Sequence, residues 1–406
     1  MQYTPRLLEQ RIEEALSIHP VVILTGPRQV GKSTLLKYAH FLKNWKYITL
    51  DDPDALLQAK EDPKGLLLEN VPTIVDEVQR HPSLFLTIKY FVDQSQRKRK
   101  FILSGSGNIS LRQYPRESLA GRAKYLSLTP FSLSEIFEDS RESFLRKVIT
   151  GEKIPSFELK KLPEYCAYVW KGGLPGVQTI LSEKKIFEVL ASYVDTYLER
   201  DIQDLVNVRH PEHFRLLMSS LAKAAGWEAL QEQLAQICAE TRSNISRYMS
   251  ILKETSLLYE VKGYVSKNEK AYRQAKYYWF DSAVACFLAG IFSSKELQKP
   301  TLKGRYFENF IFQQIIAFSQ LQTIPLEIYY WKHKRREGEI DFIVKQLDTI
   351  IPVEVKSSNT LTFRDTQSIR YFFQNHPESQ RGLIVYTGTK VYPIASNIYA
   401  VPWSLL

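Results

Sequence analysis

Over residues 1–140, short β-branched and aliphatic runs alternate with stretches whose apolar positions recur every three or four residues. Val21 to Leu24, Tyr47 to Leu50, Thr73 to Val75 and Phe101 to Leu103 read as buried strands. Arg6 to Ile18 and Lys32 to Leu42 read as amphipathic helices. Strands alternating with helices predict a parallel α/β sheet. From about Ser132 to Arg215 the pattern turns helical, broken by the turn signal Gly172-Gly173-Leu174-Pro175-Gly176. A helical module follows from Leu216 to Tyr259, then a short basic, strand-like stretch. The remainder returns to α/β. A helix around Tyr306 to Phe318 precedes strand-like Glu327 to Trp331, Glu339 to Val344, Ile350 to Lys356 and Gly382 to Val385.

Composition narrows the class. The chain has 406 residues, 44% of them hydrophobic, which excludes a disordered or low-complexity protein. A net charge of +10 suits a polyanionic partner but carries no information on fold. Cys166, Cys238 and Cys286 are scattered without metal-binding spacing and read as reduced thiols. The most apolar stretch, Ser282 to Phe292, is far shorter than the roughly 20 residues a spanning helix needs. The N-terminus lacks an apolar signal core. A cytoplasmic protein with no membrane partner is expected.

The strongest chemical signal is Gly26-Pro27-Arg28-Gln29-Val30-Gly31-Lys32-Ser33, which fits G-x-x-x-x-G-K-[ST] between a strand and a helix. Glycines let the backbone wrap the phosphates of a nucleotide, with amide hydrogens and the helix N-terminus facing the anion. Lys32 neutralises the phosphates, and Ser33 offers its hydroxyl to Mg2+. Pro72-Thr73-Ile74-Val75-Asp76-Glu77 is an apolar strand ending in two acids. Asp76 suits Mg2+ ligation and Glu77 the polarisation of an attacking water. Ser104-Gly105-Ser106-Gly107-Asn108 ends the next strand and reads either as a γ-phosphate sensor or as a turn. Arg122 reads either as an arginine finger, acting within the chain or on a neighbour, or as a solvated surface residue.

Gly26 to Thr34, Leu50-Asp51-Asp52-Pro53, Val75-Asp76-Glu77-Val78-Gln79 and Ala120-Gly121-Arg122 together resemble a group of prokaryotic AAA-type ATPases whose C-terminal half is DUF4143, a domain of unknown function. The resemblance spans essentially the whole chain. It implies ATP and Mg2+ as cofactors, with Gly26, Pro27, Arg28, Gln29, Val30, Gly31, Lys32, Ser33, Thr34 and Asp76 around the nucleotide, and a possible homo-oligomer. One departure is that the third strand ends Ser104-Gly105-Ser106 where the family has Thr-Gly-Ser, which keeps the hydroxyl.

Leu234-Ala235-Gln236-Ile237 leads through a turn into Arg242 to Leu252, with Ile245, Met249 and Leu252 spaced for one buried face. With Leu257 to Val261 starting a wing, this resembles a winged helix-turn-helix. On DNA, Arg242, Ser243, Asn244, Arg247 and Tyr248 would face the major groove, and Lys262, Lys267, Lys270, Arg273 and Lys276 would hold phosphates. Basic and acidic residues balance between Leu221 and Tyr264, which equally suits a lid or a protein-interaction surface.

Gly338-Glu339-Ile340-Asp341 followed by Pro352-Val353-Glu354-Val355-Lys356 places an acid on one strand and Glu-x-Lys on the next, with Glu354 and Lys356 on one face. This is similar to the PD-(D/E)XK nuclease fold. The resemblance implies Asp341 and Glu354 as metal ligands, Glu308 assisting from its helix, and Lys356 beside the water and the developing charge. Gln367 and Tyr371 match a short motif of RecB-like members. Lys332-His333-Lys334-Arg335-Arg336 would track a phosphate backbone.

The expected organisation is a P-loop ATPase core at 1–140, a helical extension at 141–215, a winged helix-turn-helix at 216–280 and a nuclease-like DUF4143 domain at 281–406. The expected function is Mg2+-dependent ATP binding and hydrolysis coupled to DNA or protein binding, with nuclease activity in the C-terminal domain left open. The alternative is a low-turnover nucleotide switch whose C-terminal domain is a protein-interaction scaffold.

Overall fold

The computed structural model describes residues 3–105, 119–138, 143–196, 210–265, 274–333 and 338–406. The chain divides into two compact units, Met1–Phe131 with Glu254–Leu257, and Ser132–Lys253 with Leu258–Leu406.

Among the described residues, the first unit is built on a five-stranded parallel sheet: β1 (Val21–Thr25), β2 (Lys46–Thr49), β3 (Thr73–Asp76), β4 (Phe101–Ser104) and β5 (Ala123–Ser127). The order is β2-β3-β4-β1-β5. Strands β1, β3 and β4 are buried along their whole length, as a parallel sheet covered on both faces requires. Ile23, Val75 and Leu103 pack with Phe85, Ile88 and Val92 of the helix Leu84–Gln94 in one core. The expected strands are all present. The edge strand β5 is additional; it lacks a continuous apolar run because only Leu126 is buried. The helix expected to run to Leu42 ends at Tyr38, and His40–Leu42 forms a separate 3-10 turn.

Because β1 lies between β4 and β5, the sheet reverses direction of growth there. The loop after β1 therefore opens at the carboxyl edge, where parallel sheets bind ligands.

Among the described residues, the second unit carries nine strands: β6 (Phe157–Glu158), β7 (Leu258–Gly263), β8 (Ala275–Trp279), β9 (Glu327–Lys332), β10 (Glu339–Gln346), β11 (Thr349–Lys356), β12 (Gly382–Tyr386), β13 (Lys390–Ala395) and β14 (Ile398–Pro402). Their order is β6-β13-β14-β12-β11-β10-β9-β7-β8. Strands β9, β10 and β11 form an antiparallel meander, and β12 runs parallel to β11. The helix Pro300–Leu321 is buried along much of its length and packs on this sheet, with Phe312 stacked on Tyr278 at 4.4 Å.

The stretch expected to form a wing is the hairpin β7–β8, and it joins the large sheet. Lys262 and Gly263 of β7 pair with Tyr329 and Tyr330 of β9. Asn309 pins β8 to the long helix, accepting from the Trp279 amide at 2.8 Å and donating to its carbonyl at 3.1 Å. Cys166, Cys238 and Cys286 are free and buried. Among the described residues, no helix is long and apolar enough to cross a membrane.

Candidate functional site

The loop Gly26–Lys32 leaves β1 at the carboxyl edge of the first sheet. Gly26 has φ +138, and a Cβ there would collide with the Leu128 carbonyl, so only glycine fits. Gly31, with φ +97, caps the helix Lys32–Tyr38 and turns its first amides toward the loop. Lys32 is 7% exposed, and its ammonium donates to the carbonyls of Gly26 at 2.9 Å and Pro27 at 2.7 Å. Burial pushes its pKa down to about 8, against the pull of Glu77 and Asp76. A desolvated cation curled into a glycine cradle fits an anionic ligand. Arg28, Gln29 and Thr34 are exposed, whereas Pro27 and Val30 are buried.

Asp76 ends β3 beside this loop. Its Oδ2 accepts from the Tyr47 hydroxyl at 2.6 Å, and its Oδ1 accepts from the Ser104 hydroxyl and, at 3.1 Å, from the Glu77 amide. Ser33 also hydrogen-bonds Tyr47, so one phenol links the two side chains expected to ligate Mg2+. Burial and then Asp76 push the Tyr47 phenol well above its usual range. The hydroxyl of Ser33 and the carboxylate of Asp76 are hard oxygen donors of the kind Mg2+ takes, and the donor set fits the ion. Glu77 adopts φ +55, a conformation that costs a non-glycine residue roughly 1–3 kcal/mol. The Gln79 amide donates to its carboxylate.

Arg6 was not anticipated from the sequence. It is buried, donating to the carbonyls of Val30 at 2.8 Å and Thr129 at 2.7 Å while its guanidinium lies 4.5 Å from the centre of the Phe131 ring. It ties the phosphate loop to the segment after β5. Arg6→Ala is expected to leave both carbonyls unpaired, lowering stability by about 2–3 kcal/mol and weakening nucleotide binding. Thermal unfolding and a nucleotide titration of the two proteins check this.

Arg122 does not reach this site. It immediately precedes β5, and Ala123 pairs with Val21, so it stands at the amino edge of the sheet, opposite the loop. Asp93 holds it in a two-pronged pair at 2.7 and 2.9 Å. A finger acting within the chain is thereby corrected: the strand length separates Arg122 from the phosphate loop. Ser106, Gly107 and Asn108 lie outside the described residues, and Ser104 is occupied by Asp76.

The second unit gathers Glu308 from the long helix, Glu339 and Asp341 from β10, Glu354 and Lys356 from β11, and Lys276 from β8. Burial pushes the carboxyls of Glu308, Asp341 and Glu354 upward; Asp341 adds to the rise of Glu308 and Glu354, and Glu339 to that of Asp341. Much of their oxygen capacity is committed. Asp341 Oδ2 accepts from the Val355 amide at 2.7 Å, and Glu354 Oε1 from Lys356 at 2.6 Å. Glu308 Oε1 accepts from Tyr278 at 2.6 Å and faces Lys276 at 3.5 Å, while Lys276 meets Glu339 at 2.5 Å. Glu354 Oε2 is buried without a partner. Among the described residues, no group of three or more His, Cys, Asp or Glu side chains is placed to hold a metal ion. The residues do not fit the metal expected on Asp341 and Glu354, because a second lysine, Lys276, stands among the acids in addition to the Lys356 of the motif.

Residues 18–137 match the family model of an AAA domain, and residues 303–406 match that of a domain of unknown function, DUF4143. The chain therefore carries an AAA-type P-loop domain and a C-terminal DUF4143 domain. Residues 162–295 match a second domain of unknown function, DUF8612. Two uncharacterized mycobacterial proteins, Rv2008c of Mycobacterium tuberculosis and Mb2031c of Mycobacterium bovis, are each 26% identical over 396 residues, 97% of this chain and 82% of theirs. The Walker-type ATPase PABY2304 of Pyrococcus abyssi is similar at TM-score 0.45 and 19% identity, over 69% of this chain and 93% of its own. The RuvB Holliday junction branch migration motor of Thermotoga maritima is similar at TM-score 0.29 and 16% identity, over 63% and 88%.

Between the AAA and DUF4143 domains, the helices Gln231–Ile237 and Arg242–Glu254 are joined by a turn in which Ala239 has φ +50. Arg242, Ser243 and Arg247 are exposed, although Arg242 is paired with Glu232 at 2.9 Å. Asn244 donates to Glu240 at 2.7 Å. Two expectations are corrected. Tyr248 is buried against Phe214 at 5.4 Å, in phase with Ile245, Met249 and Leu252, and cannot enter a groove. Lys276 is 4% exposed and committed to the acid cluster, so it holds no phosphate. Lys262 is exposed. Lys267, Lys270, Arg273, Lys334, Arg335 and Arg336 lie outside the described residues. Gln367 opens the helix Gln367–Asn375, and the Tyr371 hydroxyl meets His333 at 3.1 Å.

Proposed function

We propose that this protein binds ATP with Mg2+ at the loop Gly26–Ser33, hydrolyses the terminal phosphate, and uses the nucleotide state to control a DNA or protein partner. The observation that carries the reading is the buried Lys32 ammonium in its glycine cradle, beside an Asp76 carboxylate held by three hydrogen bonds. Lys32 exchanges the carbonyls of Gly26 and Pro27 for phosphate oxygens, and loop amides complete the cradle. Ser33 and Asp76 would hold the Mg2+, which supplies neutralisation of charge on the phosphates. Tyr47 and Ser104 fix the Asp76 carboxylate. Glu77, oriented by Gln79, accepts the proton of the attacking water. Phosphate release by the purified chain, with Mg2+ and with chelator, tests the reading.

The modules at 141–215, 216–280 and 281–406 are the parts through which that state would act. The order of helix, three antiparallel strands, helix and parallel strand, with Asp341 and Glu354-x-Lys356, supports a PD-(D/E)XK origin for the DUF4143 domain. Its committed carboxylates speak against cleavage in this arrangement.

For the partner, DNA is favoured by the exposed Arg247 and Lys262. Affinity for duplex DNA is expected to fall with salt. Replacing both residues with alanine should flatten the slope of log affinity against log salt by about 0.9 for each phosphate no longer neutralised. Binding indifferent to salt and to both substitutions would identify a protein-binding surface instead.

A further inference from the structure

The acid cluster of the second unit has its own cation. Lys276 does not come from the DUF4143 span at 303–406; it comes from β8, within 162–295. Its ammonium is 2.5 Å from Glu339 and 3.5 Å from Glu308, and it also feels Asp341. The residue is 4% exposed, and its side chain passes over the Tyr330 ring, 5.4 Å from its centre. Its backbone is clamped as well. Lys276 pairs with Val261 of β7 and bridges to Glu228 on its other side. Two residues on, Tyr278 donates to Glu308, and Asn309 fixes the next residue, Trp279. This strand therefore delivers a positive charge to a fixed place among the acids.

The charge pattern follows from that placement. Glu308, Glu339, Asp341 and Glu354 face Lys276 and Lys356. The two ammonium groups divide three of the acids between them, Lys276 taking Glu308 and Glu339, and Lys356 taking Glu354, while Asp341 feels both. A divalent ion entering here would have to displace a buried ammonium or accept its repulsion at close range, where the protein interior screens weakly. The unpartnered Glu354 Oε2 shows that ligand capacity is left over. What is missing is a set of free carboxylates converging on one point.

We propose that Lys276 is a tethered cation standing in for a divalent metal, so that the DUF4143 domain of this chain binds no such ion while the lysine is in place. The inference rests on the reading of that domain as a nuclease-derived fold. It makes the acid cluster one whose charge is partly offset by its own chain, and it assigns the β7–β8 hairpin the task of closing the site.

The probe is Mn2+, titrated into nucleotide-free full-length protein and followed by the loss of the free-ion electron paramagnetic resonance signal. Wild type is expected to show no Mn2+ binding that depends on Asp341. Lys276→Met is expected to gain one site per chain, at least tenfold tighter than any wild-type binding and removed by adding Asp341→Asn. Its melting temperature should rise with Mn2+ where that of wild type does not. Wild-type binding that disappears in Asp341→Asn would overturn the proposal, as would a folded Lys276→Met that gains no site. If Lys276→Met does not fold, Lys276→Gln replaces it with the same two outcomes, and Asp341-dependent binding by wild type overturns the proposal by itself. ATP binding by the same samples keeps the outcomes apart: retained ATP binding with a failed Mn2+ result overturns Lys276 alone and leaves the phosphate-loop reading standing.

Discussion

Lys32→Ala is expected to abolish nucleotide binding at micromolar ATP and, with it, turnover. Lys32 is the buried cation of the loop, already stripped of water and held at the carbonyls of Gly26 and Pro27. Removing one partner of a buried charge pair costs about 3–5 kcal/mol, or roughly 10²–10⁴-fold in affinity. The substitution exposes no hydrophobic core, so the fold should survive and the loss should be confined to the ligand. Titration of MgATP into both proteins, with unfolding curves as the control, reads the effect. Equal affinity would remove Lys32 from the site.

Glu77→Gln should separate binding from chemistry. The amide keeps the size and position of the carboxylate but has no basic oxygen, so a water beside the γ-phosphate loses its proton acceptor. Turnover is expected to fall about 10²–10⁴-fold with ATP affinity nearly unchanged. The left-handed backbone at Glu77 and its contact with Gln79 indicate that this side chain is held for a purpose beyond ending a strand. Hydrolysis at the wild-type rate would show a carboxylate with only a structural role. Single-turnover measurements, with binding measured in parallel, distinguish the outcomes.

The centre of the AAA core was legible because β1, β3 and β4 are buried on both faces, and a buried parallel strand writes itself as a β-branched run. Strand β5 was not, since Ala123-Lys124-Tyr125-Leu126-Ser127 buries little and resembles a loop. The phosphate loop and the Asp76-Glu77 pair were legible because their chemistry is local. Arg6 and Tyr47 were not. Their partners, Thr129 and Asp76, lie far along the chain, and neither residue stands in a recognisable local pattern. Lys276 shows the same limit in a sharper form. In sequence it is one of several basic residues in a strand-like stretch, and only the pairing of β7 with β9 brings it to Glu339. Tyr248 is a different case. Its spacing with Ile245, Met249 and Leu252 places it on the buried stripe of its helix, and that periodicity outweighs the appeal of a tyrosine among arginines.

The most direct test of the central claim is phosphate release from ATP by the purified wild-type chain in Mg2+, beside Glu77→Gln and an EDTA control. Mg2+-dependent release that is lost in Glu77→Gln, with ATP still bound by the variant, is the expected result. A folded wild-type chain that neither binds MgATP at millimolar concentration nor releases phosphate would contradict it.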